Sequence, residues 1–305
     1  MFTDSMYFNP GPHGRHAIAY RVGVDGGGTG TRVRLLRADG RLLGEGQGGP
    51  SGLTQGIEQA WTHIRLAIIA AIQASDLAGL ELPSPANTAL GLGLAGANNP
   101  LLHRQFVHAN PGYRSLHLES DAYTSLLGAH GGQPGAMLAV GTGSVGLARR
   151  ADGRRVGVGG WGFPSGDDGS GAVLGLRALN LAQRALDGLL PASPLADAVI
   201  AATGGTPQAV LEWSCSAGQQ RFATLAPLVF DCADHDPQAA ALLDYAVQTM
   251  EDMAHALDPE RVLPLALLGS LGKRLAPLLS CETRQRMVPA QGDAIDGALT
   301  LCQQV

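Results

Sequence analysis

Two stretches of the chain share the pattern that decides the fold: YRVGVDGGGTGTRVRLLRADGR at residues 20–41 and AMLAVGTGSVGLARRADGR at residues 136–154. In each, an apolar run leads to a turn of glycine and threonine, a second run follows, and Asp-Gly marks a hairpin. The offset is 113 residues throughout, since GTG begins at 28 and 141 and RADGR begins at 37 and 150. Asp-Gly turns are common, but the shared register makes chance the weaker explanation. The repeat predicts two lobes that each begin with a three-stranded meander.

The segments around this repeat predict an α/β protein. Isoleucines and Trp61 recur at three- and four-residue steps over residues 54–74, which predicts a helix with Trp61 in the core. Asn99 and Pro100 have the pattern of an N-cap and a first helical residue, so a helix to residue 109 is expected. Apolar runs and caps predict the other elements: strands at 88–94, 116–118 and 263–268, helices beginning at Asp121 and near Asp293, and helices at 171–187, 194–202, 208–216, 222–233 and 237–257.

Length and composition set the number of domains. The chain has 305 residues, 45% of them apolar, which is enough for two cores at about 150 residues per domain. We expect a flexible tail at residues 1–16, an N-terminal α/β lobe at 17–122 and a larger C-terminal α/β lobe at 123–305. In this division the last helix could pack back on the N-terminal lobe.

Charge and cysteine usage exclude several classes of protein. The net charge is −5, with 21 Lys and Arg against 26 Asp and Glu, so no clustered basic surface for nucleic acid is expected. The four cysteines are widely spaced and form no Cys-x-x-Cys pair, which disfavours disulfides, zinc and an iron-sulfur cluster. No window holds about 18 apolar residues, and the first sixteen residues lack the apolar core of a secretion signal. We therefore expect a cytoplasmic protein with no membrane partner.

The two glycine turns have the composition of anion sites. The turn at residues 25–31 is followed by a strand, so it is neither a Walker loop nor a Rossmann fingerprint, both of which precede a helix. Consecutive backbone N–H groups in such a turn can converge on a phosphate, and hydroxyls can add donors. Either turn alone reads as an ordinary hairpin, but the pair in register favours phosphate binding. The predicted nucleotide-binding residues are Gly27, Gly28, Thr29, Thr31, Thr142, Gly143 and Ser144.

Asp25 ends the first apolar strand, where it would lie beside the phosphates. A carboxylate there repels phosphate unless a cation intervenes, so we assign Asp25 to Mg²⁺, held through water because Mg²⁺ keeps most of its hydration. The competing interpretation is an Asx-type turn cap.

These residues together resemble the sugar kinase, hsp70 and actin superfamily. Within it, the chain is similar to the branch of N-acetylglucosamine and glucosamine kinases grouped with BadF/BadG/BcrA/BcrD-type ATPases. Six motifs carry the resemblance in the family's order: DGGGTGTR at 25–32, SDA at 120–122, VGTGSVG at 140–146, GGWGFPSGDDGSG at 159–171, LLGSLG at 267–272 and GDAIDGAL at 292–299. The resemblance implies a two-lobed, actin-like (ribonuclease H-like) ATPase fold with a nucleotide cleft between the lobes. It also implies ATP and Mg²⁺ as cofactors, an amino sugar as substrate, and a homodimer.

Further roles follow from the resemblance, position by position. Thr29 and Thr142 would contact ATP phosphates, and Asp121 would be the catalytic base. Asp121 could instead be a helix N-cap, and both roles can coexist. The remaining positions would bind adenosine (Gly269, Ser270) or the sugar (Gly160, Trp161, Gly162, Asp167). Asp167 and Asp168 could alternatively cap the helix that starts near Ser170.

One departure from the family pattern bears on the substrate. N-acetylglucosamine kinases usually have an asparagine that contacts the sugar, whereas this chain has Gly52 there, with Ser51 beside it. Losing the amide disfavours N-acetylglucosamine and favours D-glucosamine, phosphorylated to glucosamine 6-phosphate. The alternatives are an N-acetylglucosamine kinase, an activator ATPase of the BadF type, which needs clustered cysteines, and a sugar-sensing binding protein.

Overall fold

A computed structural model describes residues 17–303. The tail predicted at residues 1–16 lies outside the described residues. Those described form nine strands: β1 (Tyr20–Gly26), β2 (Thr31–Arg37), β3 (Leu42–Gly48), β4 (Thr88–Leu94), β5 (Ser115–Glu119), β6 (Gly135–Val140), β7 (Ser144–Arg149), β8 (Arg155–Gly159) and β9 (Leu265–Leu268).

Helices occupy most of the remaining chain. They are α1 (Ile57–Gln73), α2 (Pro100–His108), α3 (Asp121–Ala129), α4 (Gly171–Leu186), α5 (Pro194–Ala202), α6 (Pro207–Ser216), α7 (Gln219–Ala223), α8 (Ala226–Cys232), α9 (Pro237–Leu257), α10 (Ser270–Leu275), α11 (Cys281–Arg286) and α12 (Ala294–Leu301). Three short 3₁₀ turns lie at Leu53–Gln55, Pro85–Asn87 and Ala276–Leu278.

The chain divides into two compact units. The first contains the described residues up to Gly132 and those from Gln291 onward, and the second is Gln133–Ala290. Each unit has its own sheet, with strand order β3-β2-β1-β4-β5 in the first and β8-β7-β6-β9 in the second. In both, the three repeat strands pair antiparallel, and β1 and β6 also pair parallel with a later strand. The predicted α/β class and the two meanders are confirmed.

In the first unit, α12 returns to the sheet and packs on glycines. A Cβ added at Gly91 of β4 would lie 2.0 Å from the Ala298 carbonyl oxygen, and one added at Gly128 of α3 would lie 1.8 Å from the Asp293 carbonyl oxygen. Such distances leave room for hydrogen only, so the backbones of α12, β4 and α3 are in direct contact. Because α3 packs on α12 in this way, the chain leaves the first unit only after Gly132.

Several predicted local features are confirmed. Trp61 is 6% exposed, stacks on Phe106 and donates its indole N–H to the Phe106 carbonyl at 3.2 Å. Asn99 caps α2 by accepting from Leu101 and Leu102 N–H at 2.9 and 3.3 Å.

The helix predicted over 222–233 is wrong as a single element. It is two helices, α7 and α8, because Pro227 lies in the first turn of α8. The proline ring would clash with the carbonyl four residues back in a continuous helix. The short helices α10 and α11 were not predicted, since six residues carry too few turns to show a period.

Candidate functional site

The first glycine turn closes the β1–β2 hairpin of the first unit. Gly27 N–H donates to the Gly30 carbonyl at 3.0 Å, and the Gly27 carbonyl accepts from Ser51 and Gly52 N–H, both at 3.0 Å. These bonds fix the turn to the segment after β3. Beside it lies a pocket of about 440 Å³ lined by Asp25, Gly27, Thr29, Gly30, Thr31, Arg32, Gln47 and Gly48.

Not every hydroxyl at this turn is available to a ligand. Thr29 is exposed and lines the pocket, whereas Thr31 and Ser51 are 2% and 0% exposed. Thr31 Oγ1 lies 2.6 Å from the Gly49 carbonyl oxygen and 2.7 Å from Ser51 Oγ. Since a carbonyl can only accept, Thr31 donates to Gly49 and Ser51 donates to Thr31. The two hydroxyls therefore hold the turn in place.

Asp25 is paired with Arg32, a residue that sequence reasoning missed. Asp25 Oδ2 accepts from Arg32 Nη2 at 2.6 Å and Nε at 3.2 Å, and Arg32 Nη1 lies 3.6 Å from Asp293 Oδ2. The hydrogen bond to Asp25 raises the pKa of Arg32. The signal was present in the sequence, because the hairpin register places Asp25 directly opposite Arg32. The Asp25 carboxylate thus contacts an arginine of the neighbouring strand, and the contacts described for it are to that side chain and not to the backbone N–H groups that an Asx-type turn cap would use.

Asp121 is the first residue of α3, where its side chain is partly buried. Ser120 caps the helix by accepting from Tyr123 N–H at 3.2 Å, so the N-cap role belongs to Ser120. Asp121 Oδ1 accepts from Ala122 N–H at 2.9 Å. Burial raises the pKa of the Asp121 carboxyl, and the negative charge of Asp25 raises it further. A carboxyl with a raised pKa is suited to accept a proton in catalysis.

The acidic residues of the first unit fit a magnesium ion that arrives with a nucleotide. Across residues 17–303, three or more His, Cys, Asp or Glu side chains nowhere gather into a metal cage. Mg²⁺ does not need one, because it keeps several waters and is held by one or two carboxylates together with substrate phosphates. Asp25, whose Oδ2 is paired with Arg32, and Asp121 have this donor chemistry and are near enough to interact electrostatically.

The second glycine turn closes the β6–β7 hairpin of the second unit. Gly141 N–H donates to the Gly143 carbonyl at 2.9 Å. The first N–H groups of α4 reach the turn from the other side, Gly171 donating to Gly141 at 2.8 Å and Ala172 to Thr142 at 3.1 Å. Of the two residues with hydroxyls predicted here for phosphate, Thr142 and Ser144, the second has its hydroxyl engaged as Thr31 does in the first turn, since Ser144 Oγ donates to the Asp168 carbonyl at 2.8 Å.

The segment from Gly159 to Gly162 leads away from β8 through left-handed backbone. Gly159, Gly160 and Gly162 have φ of 72°, 73° and 84°, which favour glycine. Trp161 stands between them and is 85% exposed. A large aromatic ring held in solvent by a constrained backbone is available to stack on a ligand.

The two aspartates that follow are held by residues distant in sequence. Asp167 is 7% exposed, with Oδ2 accepting from Gln219 Nε2 at 2.7 Å and Oδ1 lying 3.4 Å from Ser144 N. Asp168 accepts from the Tyr245 hydroxyl. The alternative that either caps the next helix is wrong, because Ser170 is the N-cap of α4. Gln219 and Tyr245 lie outside every motif, so the sequence had no signal for them.

Gly269 and Ser270 follow β9, next to the strand that enters the second turn. Gly269 has φ of 84°, and a Cβ there would lie 2.2 Å from the Val140 carbonyl oxygen. Ser270 is exposed and begins α10.

The first unit thus brings together Asp25, Arg32, Asp121 and the first turn, and the second unit brings together the second turn, Asp167 and Gly269.

Two α/β units, each opened by a meander around a glycine turn, define the two-lobed, actin-like class of ATPases and sugar kinases. The chain belongs to the BadF/BadG/BcrA/BcrD ATPase family, whose model matches residues 22–262. As a member of that family it uses ATP.

Named relatives are similar over nearly the whole chain. Glucosamine kinase GspK of Vibrio cholerae is 35% identical over 281 residues, covering 92% of this chain and 94% of that protein. The crystal structure of a candidate N-acetylglucosamine kinase from Chromobacterium violaceum is 48% identical, with a TM-score of 0.86 over 94% of this chain and 99% of that one. A ROK family glucokinase from Streptomyces griseus, 16% identical, shares the fold with a TM-score of 0.51 over 93% and 98% of the two chains.

In the described part of the chain, no helix is long and apolar enough to cross a membrane.

Proposed function

We propose that this protein is an ATP-dependent amino-sugar kinase that converts D-glucosamine to glucosamine 6-phosphate. The observation that carries the proposal is the 35% identity to a glucosamine kinase over 92% of the chain. The placement of Asp121 supports it, since a partly buried carboxylate with a raised pKa begins a helix in the unit that also holds a glycine turn.

The proposed chemistry is an in-line phosphoryl transfer. The 6-hydroxyl oxygen of the sugar forms a bond to the γ-phosphorus, the bond to the bridging oxygen of ADP breaks, and Asp121 accepts the hydroxyl proton. Such a transition state is loose, so the protein mainly positions the groups and offsets their charge. A magnesium ion would neutralise the phosphates, and Asp25 would hold it through water.

The glycine turns would bind phosphate mainly through backbone N–H groups. This assignment covers Gly27, Gly28 and Thr29 in one turn and Thr142 and Gly143 in the other. Thr31 and Ser144, whose hydroxyls are engaged in the structure, would contribute only through their effect on turn geometry. Gly269 and Ser270 would contact the adenosine.

The proposed acceptor site uses Gly160, Trp161, Gly162 and Asp167, with the ring of Trp161 over the apolar carbons of the sugar. Ser51 and Gly52 are both buried beside the first turn, and the Ser51 hydroxyl is engaged with Thr31, so of that pair only position 52 would bear on the choice of sugar. The Asp167 carboxylate would attract the ammonium group of glucosamine.

Sugar-dependent release of ADP tests the proposed function. A coupled assay over glucosamine, N-acetylglucosamine, glucose, mannosamine and no sugar should show turnover that depends on glucosamine. ATP turnover that no sugar changes would contradict the proposal and favour an activator ATPase or a sugar-sensing protein. The homodimer implied by the resemblance and the cytoplasmic location expected from the sequence pattern stay predictions, the former testable by sedimentation.

Substitution of Gly52 by asparagine should shift the sugar preference. Gly52 has φ of −61° and ψ of 129°, which any residue adopts, and a Cβ there would meet its nearest atoms at ordinary contact distances of 3.5 Å and more. The backbone and a Cβ are therefore compatible with a side chain at this buried position, and a cooperative thermal melt checks that each variant folds. We expect kcat/KM for N-acetylglucosamine relative to glucosamine to rise about tenfold, because the amide supplies a donor and an acceptor to the acetamido group.

Gly52→Ala is the matched control, since it adds a Cβ without the amide. If the Asn and Ala variants have the same ratio of kcat/KM values for the two sugars, residue 52 does not contact the sugar.

A further inference from the structure

We propose that Gln219 is a positioning residue that orients the Asp167 carboxylate for the amino group of the sugar while leaving its negative charge intact. The inference rests on the proposed function and concerns the acceptor side of the same site. Gln219 is the first residue of α7, 52 positions after Asp167, and belongs to none of the six motifs.

The contact between the two side chains is short and largely buried. Gln219 Nε2 donates to Asp167 Oδ2 at 2.7 Å, and Asp167 is 7% exposed. Asp167 also has φ of 61°, a left-handed backbone conformation that residues other than glycine adopt at some cost in free energy. The amide of Gln219 therefore fixes the side chain of a residue whose backbone is already in the less common left-handed region.

The helix that carries Gln219 is itself firmly placed. A Cβ added at Gly175 of α4 would lie 1.9 Å from the Phe222 carbonyl oxygen, so the backbones of α4 and α7 are in contact. The same α4 anchors the second turn through Gly171 N–H. Gln219 and the Gly143 turn are thus held by one helix, and a Cβ at Gly143 would lie 2.8 Å from Asp167 Oδ2.

The chemistry of the donors matters for the substrate. Asp167 Oδ2 accepts from a neutral amide, and its Oδ1 lies near a backbone N–H. An arginine or lysine at position 219 would orient the carboxylate equally well but would cancel its charge. A neutral donor fixes the geometry and keeps the attraction for an ammonium group, which glucosamine carries and an N-acetylated or neutral sugar lacks.

The test compares Gln219→Ala with Gln220→Ala, the exposed neighbour on the same short helix. Losing a hydrogen bond to a charged group should raise the KM for glucosamine about tenfold or more. We expect kcat to stay within about threefold and the KM for ATP within about twofold, since the backbone bonds from Gly171 and Ala172 of α4 hold the second turn without Gln219.

Binding of glucosamine without ATP, followed by quenching of tryptophan fluorescence, should weaken in parallel with the KM. Equal kinetics in the Gln219 and Gln220 variants would overturn the inference, as would a change confined to the KM for ATP or to kcat. If Gln219→Ala loses its cooperative thermal melt, Gln219→Asn replaces it in the same comparison. Asparagine is shorter by one methylene, so its amide is withdrawn from Asp167. A wild-type protein without glucosamine-dependent ADP release would instead refute the proposed function.

Discussion

Asp121→Asn should lower kcat by about 10² to 10⁴ while making the folded protein more stable. The activity falls because the amide cannot accept the proton of the sugar hydroxyl, and a positioned general base contributes a factor of that size. The shape of the side chain and the N-cap from Ser120 are retained, so ATP and sugar binding should change little. Initial rates of ADP release at saturating substrates measure the effect, and a fall of less than tenfold would exclude Asp121 as the base.

The gain in stability follows from the direction of the pKa shift. Burial and the charge of Asp25 raise the pKa of Asp121 in the folded state, so the folded protein holds this proton more tightly than the unfolded chain does. The contribution of such a group to stability is greatest below its unfolded pKa and is lost as pH rises through the folded pKa. The wild type therefore carries a cost at neutral pH that the asparagine variant does not, and urea unfolding should show a larger gain at pH 7 than at pH 4.

Asp197→Asn is the matched control for this prediction. Asp197 lies in the first turn of α5, which like α3 has nine residues, but its side chain is exposed. Both substitutions remove a negative charge near a helix N-terminus, which costs a few tenths to about 1 kcal/mol. Only Asp121→Asn also relieves burial, so a loss of stability in both variants would contradict the explanation.

Gly297→Ala should destabilise the first unit by about 1–3 kcal/mol or more, the usual cost of overpacking. A Cβ at Gly297 of α12 would lie 1.8 Å from the Thr124 carbonyl oxygen and 2.6 Å from Gly128 N, both backbone atoms of α3. Backbone cannot rotate away as a flexible side chain can, so the two helices must separate. Because Asp121 begins α3, we also expect a fall in kcat/KM.

Alanine in place of Gly272 should not lower the free energy of unfolding. Gly272 lies in α10, and a Cβ there would meet its nearest atom, Val140 Cβ, at 3.7 Å. Alanine is a better helix former than glycine by up to about 1 kcal/mol, so Gly272→Ala should be neutral or stabilising. Thermal melts of both variants test the pair, and a melting temperature of Gly297→Ala equal to that of the wild type would show that α12 and α3 are not in backbone contact.

Much of the local structure could be predicted because its causes are local. The cap at Asn99, the Asp-Gly hairpins and the apolar face around Trp61 each depend on residues within a few positions. The cap of α3 was placed one residue late, at Asp121 as an alternative role, whereas Ser120 makes it. The prediction failed where short helices have no readable period, at α10 and α11, and where one proline divides a longer apolar run.

The candidate site was predicted only in part, for a physical reason. The glycine turns follow strands and Asp25 lies at the end of β1, so both could be recognised from the sequence. The burial of the Thr31 and Ser144 hydroxyls could not, because it depends on which carbonyls the fold brings to them, Gly49 in one turn and Asp168 in the other.

The sequence by itself determined two repeated meanders, their glycine turns and the positions of the acidic residues, because strand periodicity and turn chemistry act over a few residues. The tertiary structure alone decided that α12 lies on glycines of β1, β4 and α3, and that Gln219 holds Asp167. Those contacts join residues many positions apart, and neither a glycine nor a glutamine indicates in the sequence which distant residue it will meet, so no local pattern predicts them.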